Sequence, residues 1–212
     1  MSTLTVVRHG QARPFDSNPD RLSALGEEQA RALGEYWKRL GITFDEVWSG
    51  SLQRQRQTAE LAVGSPEISD DWNEYDANGI LHHFAPPHEL EDGADRNRKF
   101  QKIFEPAMLA WLAAEAHPTV ETWGVFRARV LGAMRRLQEG PSNRNVVLFT
   151  SGGPIGVLVQ TAIAGHDRSF LEVNWRVRNC SISEFTFSRE RLSLDSFNTL
   201  PHLERAELRT FR

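Results

Sequence analysis

Short apolar, β-branched runs alternate along the chain with longer stretches whose apolar residues recur every three or four positions. Leu4 to His9 is the first such run; it ends in polar residues and Gly10, the pattern of a buried strand stopping at a functional edge. In Ala24 to Leu40, "ALGEEQARALGEYWKRL", Leu25, Ala32, Leu33, Tyr36 and Leu40 fall at helical spacing, and Gly41 supplies the stop. Phe44 to Trp48 predicts a second strand, and Ser51 to Ala62 a helix with cap candidates at Ser49 and Ser51. Asp71 to Glu91, with Gly79, Pro86, Pro87 and three histidines, reads as a long irregular segment, of the kind that usually forms a lid or binding loop when ordered. Helical patterns return over Asp92 to Ala116 and Glu121 to Gln138. A strand at Asn145 to Thr150, a helix at Ile155 to Ala164, and strands at Cys180 to Phe187 and Leu192 to Phe197 complete the chain, the last two joined as a hairpin through "SRER".

Strands alternating with helices in this way predict an α/β fold with a largely parallel sheet covered on both faces. No linker-like stretch interrupts the 212 residues, so the expectation is a single domain over 1–212. Ligands of such sheets sit at the carboxyl ends of the strands, which turns attention to His9, Ser49 and Ser151 together.

Composition narrows the partners. A formal net charge of -3 and a pI near 6.2 give no support to a nucleic-acid or anionic-membrane binder. The single cysteine, Cys180, excludes an internal disulfide and suits a reducing compartment. The start, with no basic region and only a few apolar residues, does not read as a signal segment or a membrane span, so the expected location is the cytoplasm.

Two stretches carry candidate chemistry. In "VVRHGQAR", Arg8 and His9 stand at a strand end and Gly10 lets the backbone approach a ligand. A neutral histidine is a nucleophile toward phosphorus; nearby arginines favour neutrality and would bind the phosphoryl oxygens. In "SGSLQRQRQTA", Arg54 lies in the first turn of its helix and points at the same crevice, whereas Arg56 faces elsewhere and reads as a solvated arginine.

These stretches, with others, resemble the histidine phosphatase superfamily, the phosphoglycerate mutase-like branch. The resemblance rests on "RHG", on "LSALGEEQARALG", on "WSGSLQRQRQTA", on "NEYDANG" and on "FNTLPHL", which follow one another in order from Leu4 to Leu203. It implies a three-layer α/β/α sandwich and phosphoryl transfer through a phosphohistidine, with no cofactor. Carried over, His9 is the nucleophile, and Arg8 and Arg54 hold the phosphoryl group of a small phosphorylated substrate. Glu74 matches the proton donor, a role that needs a carboxyl group with a raised pKa.

The chain departs from the family in one place. Where members carry a second histidine ahead of two glycines, "VVLFTSGGPIGVL" has Ser151. Ser151 can offer a hydroxyl, and with Gly152 and Gly153 a backbone that approaches an anion at a helix N-terminus; Thr150 or Ser151 also reads as the cap of the helix that Pro154 helps begin. The expected activity is a phosphoric monoester hydrolase. The alternatives are a binding protein that has lost turnover with the histidine, and a phosphoglycerate mutase-type transferase. A serine hydrolase is disfavoured, because "TSGGP" is not a nucleophile-elbow pattern. His82, His83, His88 and His166 are candidates to replace the missing histidine. A metal site in "HHFAPPH" is not expected, since adjacent His82 and His83 point apart in extended chain and no further ligands complete the set.

Overall fold

A computed structural model describes residues 1–13, 18–85 and 96–211. It divides into two compact units, one of Met1–Glu74 with Val130–Arg212 and one of Tyr75–Arg129.

The first unit is built on a six-stranded sheet. The strands are β1 (Ser2–Arg8), β2 (Glu46–Ser49), β3 (Glu67–Ile68), β4 (Asn145–Thr150), β5 (Ile182–Phe187) and β6 (Leu192–Thr199), in the order β3-β2-β4-β1-β5-β6. The pairs β1/β4, β2/β4 and β2/β3 are parallel, and β5 and β6 close the sheet antiparallel. The expected hairpin through "SRER" is present, with Ser188 N–H donating to Arg191 O at 2.9 Å.

Side chains alternate across the sheet, and each face receives helices. On one face Val7, Val147, Phe149 and Ile182 form a buried core with Leu33 and Trp37 of α1 (Ala24–Leu40) and Ala59 of α2 (Gln53–Ala62). Trp37 sets its edge on Phe44 at 4.8 Å and on Phe149 at 6.2 Å. On the other, Leu4, Val6, Val146 and Leu148 are fully buried. There α6 (Gly152–Ala162) packs on β1 and β6; every residue from Gly152 to Gln160 is buried, as expected of a helix apolar all round. This is the three-layer α/β/α sandwich with a mostly parallel sheet.

The second unit holds α3 (Ala77–Phe84), α4 (Arg96–Ala113) and the start of α5 (Trp123–Glu139). Its core is aromatic. Trp111 lies 5.3 Å from Tyr75 and 5.7 Å from Trp123, and donates its indole N–H to Glu121 O at 2.7 Å. Trp111 and Trp123 therefore serve packing, as their lack of ligand-box spacing suggests.

The elements match the pattern with five physical corrections. Asp71 to Glu91 is not wholly irregular: Asp76 accepts from Gly79 N–H and caps α3, which places His82 and His83 on one helix turn with ring centroids 4.6 Å apart rather than pointing away from each other. His88 lies outside the described residues. The helix α2 begins at Gln53, and neither Ser49 nor Ser51 caps it; Asp20, from a distant turn, accepts from Gln53 N–H at 2.7 Å. The helix α6 starts at Gly152, earlier than its apolar periodicity suggests, and an additional short helix, α7 (Asp167–Asn174), precedes β5. Cys180 sits outside β5 in a left-handed conformation, with φ of 56°.

The resemblance motifs acquire physical roles in the first unit. Gln29 is completely buried and spans three segments: Gln11 N–H donates to its Oε1 at 2.8 Å, and its Nε2 donates to Leu208 O at 2.7 Å and Thr210 Oγ1 at 3.0 Å. Leu22 N–H donates to Gln57 Oε1 at 3.0 Å. Gly26 opens α1 against the backbone that follows His9. A Cβ at Gly26 would lie 2.1 Å from Gln11 O, and one at Gly10 would lie 2.5 Å from Gly26 O. Neither obstacle is a flexible side chain. Gly26→Ala is therefore expected to lower stability by about 1–3 kcal/mol through overpacking, read as a lower urea midpoint at unchanged slope. An unchanged midpoint would contradict the close approach.

Candidate active site

The carboxyl ends of β1, β4 and β2 lie side by side. Arg8 pairs with Thr150 and Ser49 with Phe149, so the next residues, His9, Ser151 and Gly50, leave neighbouring strands together. His9 is held on both sides: its N–H donates to Thr150 O at 2.8 Å, and its carbonyl accepts from Cys180 N–H at 3.2 Å. By strand alternation His9 continues the Val7 face and Ser151 the Phe149 face, which is the face that carries α2. The first turn of α2 meets both, with Arg54 reaching His9 and Gln55 reaching Ser151.

His9 is 6% exposed. Burial first, then the Arg54 and Arg8 guanidinium charges, hold its pKa well below the ordinary 6.5, so the ring is neutral at physiological pH. Its Nδ1 faces Gly10 O at 2.7 Å. A carbonyl only accepts, which fixes the proton on Nδ1 and leaves the lone pair on Nε2. Arg54 Nε–H donates to that Nε2 at 3.1 Å, while Arg54 Nη1 pairs with Asp20 Oδ1 at 2.6 Å. Asp20 thus uses one oxygen to fix the guanidinium and the other to cap the helix that carries it. Thr58 completes the frame: its Oγ1 accepts from Gly10 N–H at 3.0 Å and donates to Arg54 O at 2.7 Å.

Arg8 leaves the opposite side of β1. Its Nη1 donates to Val177 O and, at 3.0 Å, to Phe211 O. The segment supplying Val177 is itself tied down by Asn198 of "FNTLPHL": Arg178 N–H donates to Asn198 Oδ1 at 2.8 Å, and Asn198 Nδ2 donates to Arg176 O at 2.7 Å.

Ser151 occupies the N-cap position of α6, but its side chain caps nothing. It is fully buried, and its Oγ accepts from Gln55 Nε2 at 2.8 Å. The helix N-terminus receives a carboxylate instead: Gly153 N–H donates to Glu74, with 2.9 Å to Oε1 and 3.1 Å to Oε2. The protein's own Glu74 carboxyl group thus lies at the helix start where an anion is expected. Trp72 O, two residues before Glu74, accepts from Thr150 Oγ1 at 2.6 Å and from Gln55 Nε2 at 3.3 Å. Asn73 Oδ1 accepts from Ser51 N–H at 2.8 Å.

The site residues named by the sequence therefore occupy one end of one sheet. Sequence reasoning missed Asp20, Gln55 and Thr58. Arg56, read as solvated, has a buried Nε with no hydrogen-bond partner among the described residues. Cys180 is buried and its thiol pKa is pushed up by burial, which makes it inert. Among the described residues no three histidine, cysteine or acidic side chains gather in a metal-binding arrangement, and no described helix is long and apolar enough to cross a membrane.

His202 of "FNTLPHL" is buried and affects stability. Burial lowers its pKa from 6.5 to about 4. The unfolded chain takes up that proton near pH 6.5 and the folded one only near 4, so stability is full above 6.5 and falls as pH drops between the two values. The loss amounts to about 3 kcal/mol at 1.36 kcal/mol per pH unit. Urea midpoints measured from pH 7 to 4 should show it, and His202→Phe should flatten that slope; an equal slope in the variant would place the acid sensitivity elsewhere.

Comparison with known proteins gives the family and agrees with the fold. The family model of the histidine phosphatase superfamily (branch 1) matches residues 4–200. "Uncharacterized phosphatase PhoE" of Bacillus subtilis is 26% identical over 210 residues, covering 96% of this chain and 97% of that protein. "Probable phosphoglycerate mutase GpmB" of Klebsiella pneumoniae is 28% identical over 205 residues, covering 89% and 86%. Among solved structures, a phosphoserine phosphatase mutant from Entamoeba histolytica in complex with phosphoserine superposes with a TM-score of 0.69 at 19% identity, covering 96% of this chain and all of that one. A match that spans nearly the whole chain, on the fold and motifs described above, makes this protein a member of the histidine phosphatase superfamily, branch 1.

Proposed function

We propose that the protein is a phosphoric monoester hydrolase that acts on a small phosphorylated metabolite through a phosphohistidine at Nε2 of His9. The observation that carries this reading is the tautomer: Nδ1–H is committed to Gly10 O, and the Nε2 lone pair faces Arg54. An entering phosphoryl group takes the Arg54 N–H donors onto its oxygens and frees Nε2. Arg8 adds a second positive charge, and the backbone at Ser151 and Gly152 follows the neighbouring strand end beside His9. The Nε2 lone pair then forms the P–N bond as the P–O ester bond breaks. Glu74 gives its proton to the departing alkoxide. In the second half Glu74, now a carboxylate, takes a proton from water; the water oxygen attacks phosphorus, and the P–N electrons return to Nε2.

Water is the preferred acceptor, rather than a second substrate hydroxyl, because "EYDANGIL" offers no cation for the carboxylate of a phosphoglycerate, which Arg96, Arg98, Lys99 or Lys102 downstream would have to supply. The names of the relatives guide the choice of substrates. Rapid quench during turnover of phosphoserine, 3-phosphoglycerate, simple alkyl phosphates and p-nitrophenyl phosphate should trap acid-labile phosphate on His9, located by mass spectrometry. Phosphate release with no label on His9 overturns the mechanism. Tight binding of orthovanadate without release from any ester would instead identify a binding member of the family, the outcome that the uncharged Ser151 favours.

A further inference from the structure

We propose that Gln55 is a positioning residue for Glu74, holding together the two segments that place this carboxylate at the start of α6. The proposal rests on the assignment of Glu74 as proton donor. Gln55 is fully buried and uses both N–H bonds of its amide, one to Ser151 Oγ at 2.8 Å and one to Trp72 O at 3.3 Å. Ser151 lies two residues before Gly153, whose N–H holds the Glu74 carboxylate; Trp72 lies two residues before Glu74 itself. One amide therefore spans the two ends of a short loop of contacts that closes at the carboxylate.

The orientation of the amide follows from chemistry. Trp72 O can only accept, so the atom facing it must be the nitrogen. That orientation leaves Gln55 Oε1 buried without a hydrogen-bond partner among the described residues, pressed against Gly50, where a Cβ would come within 2.0 Å of it. A buried unpaired carbonyl is unfavourable, and an apolar side chain of similar length would avoid it. Packing alone thus does not explain a glutamine here, whereas two donors aimed at two segments do. Ser151 takes part by accepting: without a ring at this position, its small side chain leaves room for the amide to pass.

The test separates positioning from packing. Gln55→Met keeps the volume and removes both donors, so its urea midpoint should equal or exceed that of the parent. Its kcat/KM, which reports transfer to His9, should fall about tenfold to a hundredfold for alkyl phosphates, in line with the sensitivity of catalysis to small misplacements. For p-nitrophenyl phosphate, whose leaving group departs without a proton, kcat/KM should stay within about twofold. In a Glu74→Gln background, Gln55→Met should add no further loss for alkyl esters. Equal losses on both ester types, no loss on either, or additive losses in the double variant would overturn the proposal.

A second readout needs no turnover. The Gly153 amide proton resonance should shift as the Glu74 carboxyl is titrated in the parent, and lose that response in Gln55→Met. A response retained in the variant overturns the role of Gln55 even if the protein hydrolyses no ester; a response lost there supports it while the hydrolase reading fails on its own test.

Discussion

Replacing His9 with alanine is expected to lower phosphate release by more than about a thousandfold, the scale seen when a covalent nucleophile is removed. The loss should appear in kcat, with orthovanadate still bound, because Arg54 keeps its anchor on Asp20 and Arg8 its anchors on Val177 O and Phe211 O. The neutral state of His9 sharpens the expectation. With its pKa held well below 6.5 by burial and two guanidinium groups, His9 does not gain a proton as the medium moves from pH 8 toward 6, so kcat/KM, corrected for the phosphate ionisation of the substrate, should show no acid limb from this ring. Release that survives in His9→Ala would mean that the nucleophile lies elsewhere.

Glu74→Gln is the second large effect. It retains an oxygen that accepts from Gly153 N–H, so α6 keeps its cap, but it has no proton to give to an alkoxide. For alkyl phosphates kcat/KM should fall about 10²- to 10⁴-fold, the usual contribution of general acid catalysis. For p-nitrophenyl phosphate kcat/KM should change little. Its kcat should still fall, since water attack on the phosphohistidine needs the same group as base, and phosphorylated His9 should then accumulate. Identical losses in kcat/KM for both ester types would remove Glu74 from the proton-donor role and leave it as a structural cap.

Much of this site is legible in the sequence because it depends on local rules. A β-branched run ending at Arg8-His9-Gly10 places a histidine at a strand end, and a helix from Ala24 to a left-handed Gly41 agrees with the structure residue for residue. Strand β4 does the same from Asn145 to Thr150. What is not legible depends on partners far along the chain. Asp20 caps a helix that starts 33 positions later, and Gln55 meets Ser151 across 96. Local reasoning assigned Ser151 to capping because serine before a helix usually caps, yet its hydroxyl accepts from Gln55 and Glu74 takes the helix start. The histidine pair at positions 82 and 83 differs for a local reason: Asp76 accepts from Gly79 N–H and begins a helix there, where an extended chain is the default expectation.

Gln29 and Arg8 bind the carbonyls of Leu208 and Phe211, across separations of 179 and 203 residues. Contacts of that span are the slowest a chain makes, because long loops must close before the contacts contribute any stability. The strand that carries Arg8 and His9 is synthesised long before the backbone at Leu208 and Phe211 that Gln29 and Arg8 bind. A nascent chain halted at Leu203 already contains His9, Arg54, Glu74, Ser151 and the Val177 carbonyl that Arg8 binds, but not the Phe211 and Leu208 carbonyls that complete the hold on Arg8 and Gln29. Arg8 and Gln29 thus wait for partners made 203 and 179 positions later, and their hold on the strand is complete only when those partners arrive.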